Sequence, residues 1–133
     1  MMLENAIKEY ESNKEARKFI GNFVKDLFER YRREKKIFTI SHQETLIDER
    51  KLFLKKMDIL IQLLEDELPE DQFKVFQNFY LMSPKKKKTL FQLAMENNYQ
   101  DETYFSKLRS RARLKCVELV ILLELETDYL KAG

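Results

Sequence analysis

Between Phe19 and Tyr31 the apolar residues arrive in a fixed rhythm: Phe19 and Ile20, Phe23 and Val24, Leu27 and Phe28, then Tyr31, with polar and charged residues between them. Only an α-helix, at 3.6 residues per turn, gathers such a series onto one face. The stripe predicts a helix from about Leu3 to Lys36, with Leu3, Ile7 and Tyr10 extending it. Gly21 interrupts the series. A glycine inside a helix costs about 1 kcal/mol relative to alanine, so it suits close packing by a neighbour or a kink near Ser12–Asn13.

The rest of the chain follows the same period. A β-prone piece, Ile37 to Ile40, ends the first helix. Ser41 with Glu44 three residues on has the pattern of a capping box, in which each side chain satisfies the other residue's free backbone N–H. A second helix is expected from there to about Glu67, with Leu46, Ile47, Phe53, Leu54, Met57, Leu60, Ile61 and Leu64 as its apolar positions. The two form a helical hairpin over residues 1–67 that could pack against itself or against a second copy, giving a homodimer. Pro69, Glu70 and Asp71 open a third helix, since proline fits a first turn and acids there complement the helix dipole. Phe73, Phe76, Phe79 and Tyr80 carry it to about Met82. Ser83-Pro84 breaks the chain, and a short helix over Thr89–Glu96 follows. Asn97-Asn98 suits a tight turn, and Asp101 is a good N-cap for a last helix bearing Tyr104, Phe105, Leu108, Ala112, Cys116 and Leu119, running to about Tyr129. The fold class is therefore all-α: an N-terminal helical hairpin, then a three-helix helix-turn-helix unit over residues 68–133 whose last helix is long. Only 2 Gly and 2 Pro in 133 residues agree with long helices and few turns.

Charge is the second constraint. The whole chain carries a formal charge of +2. Residues 84–115 alone hold nine Lys/Arg against three acids, and both flanks are net negative. A concentrated basic segment attracts polyanions more strongly than a uniform charge does. Stepping 100° per residue along the last helix, with Phe105, Leu108 and Ala112 inward, turns Thr103, Ser106, Lys107, Ser110 and Arg113 outward. These are hydroxyls and cations, with no acid among them. They fit base and phosphate contacts in a major groove, where each base pair shows a distinct donor and acceptor pattern. Arg109 and Arg111 flank that face, and Lys85, Lys86, Lys87 and Lys88 could clamp the phosphate backbone.

The stretch LPEDQFKVFQNFYL followed by TLFQLAMENNYQDETYFSKLRSRARLK resembles region four of bacterial sigma factors. It is still more similar to the sigma-like phage regulators of the ArpU and RinA families. The matching anchors are Leu68-Pro69-Glu70, Leu93-Ala94 and Arg111-Ala112, and the resemblance covers about residues 68–116. It implies a promoter-binding helix-turn-helix in a small regulator of phage or mobile-element genes, with a helical N-terminal part for dimerisation or contact with RNA polymerase. The spacing departs from the family: counting forward from Ala94 puts Gln100 at the helix cap, whereas counting back from Arg111-Ala112 puts Asp101 there.

The residue inventory argues against catalysis. His42 is the sole histidine and falls inside the Ser41–Glu44 capping pattern, and Cys116 is the sole cysteine, so no Cys/His metal cluster and no Cys–His nucleophile can be assembled. A phosphate-cradling P-loop needs glycines this chain lacks. No enzyme, metal or cofactor is expected. No apolar run approaches the ~20 residues of a membrane span, and the N-terminus lacks the features of a signal peptide, so a cytoplasmic location is expected. The competing reading is a protein-binding module: 10 Phe and 6 Tyr could line a groove that captures another regulator or RNA polymerase.

Overall fold

In the computed structural model, residues 2–41, 48–97 and 101–125 are described, and among them there are helices and turns but no strands. The helices are α1 (Leu3–Lys8), α2 (Lys14–Ser41), α3 (Asp48–Glu67), α4 (Glu70–Phe76), α5 (Leu90–Glu96) and α6 (Glu102–Leu122), with a π-helical turn, Gln77–Leu81, continuing α4.

The long first helix of the sequence reading is two helices. The chain breaks at residues 9–13, and Asn13 restarts it: its Oδ1 accepts from the backbone N–H of Glu15 at 2.9 Å and of Ala16 at 3.4 Å. Arg17 braces the break, its Nη1 donating to the carbonyls of Tyr10 and Glu11, each at 3.0 Å. A free cap beats continuation here because Ser12 and Asn13 compete well for backbone groups. The opposite correction applies at Ile37–Ile40. These residues are helical, and α2 runs through to Ser41. Their β-branched side chains weaken a helix only slightly, and Ile37 and Phe38 pack on the core, which outweighs that preference. The expected capping box at Ser41–Glu44, with His42, extends outside the described residues.

One apolar cluster joins the two halves of the chain. It contains Leu3 and Ala6 of α1, Tyr10 just beyond it, Ile20 to Tyr31 of α2, Phe53 to Leu64 of α3, Phe76 and Tyr80, and Ala112 to Val120 of α6. Every other α-helix packs against α6, and from Ala112 onward α6 is buried on several sides. Phe28 is the aromatic centre, with ring centroids 5.3 Å from Phe76 and 6.1 Å from Tyr80. Polar ties hold α2 to α3: the Tyr31 hydroxyl donates to Asp58 Oδ1 at 2.5 Å, and Lys35 Nζ lies 3.2 Å from the same oxygen. Burial, and then the bond to Asp58, push the Tyr31 phenol up from its ordinary value. A second, smaller cluster of Val75, Phe105 and Leu108, with Phe79, Leu90, Leu93 and Ala94 against it, holds α4, α5 and α6 together. The last helix ends at Leu122, short of Tyr129, which lies outside the described residues. Glu124 takes the left-handed conformation at φ 57°, and Leu125 beyond it is fully buried.

Candidate nucleic-acid interface

The start of α5 is set by a capping box. Thr89 Oγ1 accepts from the Gln92 N–H at 3.1 Å, and Gln92 Oε1 accepts from the Thr89 N–H at 2.8 Å. The Thr-x-x-Gln pattern that signals this box is present in the sequence, though masked by the lysine run before it. Asp101 is the cap of α6, its Oδ1 accepting from the Tyr104 N–H at 3.0 Å, so the turn takes the longer of the two spacings. Together α4, α5 and α6 make a three-helix unit around the smaller cluster, with α6 entering at its Asp101 end.

The connector between α4 and α5 is also fixed. Asn78 is buried, its Nδ2 donating to the Lys88 carbonyl and its Oδ1 accepting from the Lys88 N–H, both at 2.9 Å. One side-chain amide thus serves both backbone groups of one residue. Lys85, Lys86, Lys87 and Lys88 are all exposed, but they are not equivalent. Lys88 Nζ pairs with Glu96 at 2.7 Å, while Lys87 Nζ stands 5.3 Å from the centroid of the Phe79 ring.

The outward face expected for α6 divides into two groups. Thr103, Lys107 and Arg111, at successive four-residue steps, are exposed, and Ser106 is half-buried beside them. Ser110 and Arg113 do not project outward. Ser110 Oγ lies 2.5 Å from the hydroxyl of Tyr10, which also donates to the Ser110 carbonyl at 3.3 Å. Arg113 Nε donates to the Tyr80 hydroxyl. The 100° step was sound for Phe105, Leu108 and Ala112, which are buried. It left out α1 and α2, which cover the second side of α6.

Arg109 flanks the opposite side, its guanidinium carbon 4.7 Å from the Phe79 centroid. The π turn is what brings these groups together. Its wider winding, with the Met82 N–H bonded to the Gln77 carbonyl at 3.0 Å, presents Phe79 to Lys87 and Arg109, and Tyr80 to Arg113. Arg32 Nη1 donates to the Tyr80 carbonyl at 2.7 Å. Inserted π turns are rare and recur at functional sites. Partial burial and then the neighbouring Arg109, Lys25, Arg32 and Arg113 pull the Lys87 ammonium down from its ordinary value. Burial and then Arg113 do the same to Arg109. No local pattern foretells this gathering, since Arg17, Lys18, Lys25 and Arg32 lie on α2, far from residues 84–115 in the chain.

No described helix is long and apolar enough to cross a membrane. No family model, curated protein or solved structure matches the chain.

Proposed function

We propose that the chain is a sequence-specific, double-stranded DNA-binding transcription regulator of the sigma-region-four-like kind, acting on phage or mobile-element genes in bacteria. The single observation that carries this reading is the exposed edge of Thr103, Lys107 and Arg111 on a capped helix, one hydroxyl and two cations with no acid among them. The edge supplies base-reading side chains in the first half of α6, and the exposed Lys85 and Lys86 of the connector supply phosphate contacts. Ser110 and Arg113 are removed from the reading set by Tyr10, just beyond α1, and by Tyr80 in the π turn, and Ser106 stands at its margin.

Salt titration of binding to a fluorescent duplex tests the reading. Affinity should fall steeply with salt, with a slope near ~0.9 per phosphate neutralised. Changing Lys107 and Arg111 to Ala should reduce both affinity and slope. Equal binding by wild type and variant, or no binding at low salt, would sink the proposal.

One observation favours a second reading. Phe91 is 60% exposed and Met95 67% exposed, one turn apart on α5. An apolar pair on the surface of the bracing helix fits a protein contact, such as RNA polymerase or another regulator, and this contact is compatible with DNA on α6.

A further inference from the structure

A cleft of about 280 Å³ opens between the first half of α2, the π turn and the middle of α6. Six cations line it: Arg17, Lys18 and Lys25 from α2, Lys87 from the connector, and Arg109 and Arg113 from α6. No carboxylate lines it, and among the described residues none of the six is ion-paired. Like charges so gathered repel, and a structural role alone would be better served by neutral side chains.

The two guanidinium groups on α6 are oriented rather than loosely arrayed. Phe79 holds the guanidinium of Arg109 through its ring, an interaction that uses no N–H group, and Arg109 Nε is buried with no hydrogen-bond partner. Tyr80 fixes Arg113 through Nε. Gly21 makes the room: a Cβ there would lie 3.5 Å from Arg113 Nη1, so any longer side chain would enter the cleft. Two guanidinium groups with flexible ammonium groups beside them match a ligand with several anionic oxygens pointing in different directions, which a phosphate has and a single carboxylate does not.

We propose that this cleft is a phosphate-binding site, with Arg109 and Arg113 as its floor and Lys25 and Lys87 as its mobile arms. The phosphate belongs either to a nucleic-acid backbone or to a free phosphorylated small molecule, and the site stands whether or not the Thr103, Lys107 and Arg111 edge reads DNA.

Calorimetric titration of the full chain with inorganic pyrophosphate tests it. Saturable one-to-one binding is expected. Lys87→Gln should weaken it about tenfold, the effect of losing one charge-assisted hydrogen bond. Gly21→Leu keeps every charge but fills the cleft, and should weaken binding at least as much. Absence of saturable binding, or Gly21→Leu binding as wild type does, would overturn the site in favour of diffuse counterion attraction. Lys87 lies on the exposed connector, so its variant decides the matter if Gly21→Leu fails to fold. Pre-loading with a short DNA duplex separates the two sources. Loss of the pyrophosphate signal assigns the cleft to the nucleic-acid backbone, and an unchanged signal assigns it to a free ligand.

Discussion

The hydroxyls of Tyr10 and Ser110 lie 2.5 Å apart, joining residues a hundred positions distant in the chain. Tyr10 closes the end of α1, and Ser110 sits in the third turn of α6. The contact fixes α1 over the side of α6 that sequence periodicity alone would leave to solvent. Tyr10→Phe and Ser110→Ala should each cost about 1 kcal/mol of stability, the net worth of one hydrogen bond. The double variant should cost less than the sum of the two. Urea unfolding of all four proteins checks this, and strict additivity would show that the hydroxyls do not interact.

Asn78 should be intolerant of change. Asn78→Ala leaves both backbone groups of Lys88 without their partner, at about 1–3 kcal/mol. Asn78→Asp keeps the acceptor, loses the donor and adds a buried charge, so it should be at least as damaging. Chemical denaturation gives the magnitude. A shift of less than about 0.5 kcal/mol in both variants, the range of ordinary surface changes, would mean the clasp does not hold the connector.

The crowding of Lys87 has a pH signature. Its ammonium loses its proton more readily folded than unfolded. Between the lowered folded value and the ordinary lysine value, the unfolded chain therefore binds more protons, and stability from this group rises with pH. Below that window the repulsion is fully present. Lys87→Gln should accordingly melt at a higher temperature than wild type near neutral pH, and the difference should shrink as pH climbs through the alkaline range. Thermal melts of the pair across pH would show it, and a constant offset would contradict it.

Cys116 is fully buried, and burial alone pushes its thiol far above the usual cysteine range. It should resist alkylation in the native protein and react once denaturant is added. Mass spectrometry after iodoacetamide treatment reads this directly. Rapid labelling without denaturant would place the thiol outside the core.

If α6 reads DNA, replacing Thr103, Lys107 or Arg111 should alter sequence preference by about 1–3 kcal/mol per lost base contact. Neutralising Lys85 and Lys86 should weaken binding to all sequences alike. Competition assays with scrambled duplexes distinguish the two effects, and a uniform loss from all five positions would leave no base readers on that edge.

The helical class, the cap at Asp101, the helix start after Leu68, and the apolar face of Phe105, Leu108 and Ala112 were legible because each rests on local spacing, local hydrogen bonding or proline's fixed backbone. The break at residues 9–13 was visible as a kink and proved complete, since Asn13 supplies a cap. The helical state of Ile37–Ile40 was hidden because packing overrode propensity. The engagement of Ser110 by Tyr10 and of Arg113 by Tyr80 was hidden for a different reason. A helical wheel assigns one inward face, and α6 has several once α1, α2 and α3 surround it. The cationic cleft depends on a π turn and on residues separated by most of the chain, and neither leaves a periodic trace.

Because all the other α-helices rest on α6, its exposed edge has little freedom to slide or tilt without disturbing the whole core. If the proposed reading holds, a duplex meeting that edge would have to do the adapting. Target choice would then depend on how readily a given sequence bends and adjusts its groove width to a rigid template, so base steps the protein never touches would contribute to recognition.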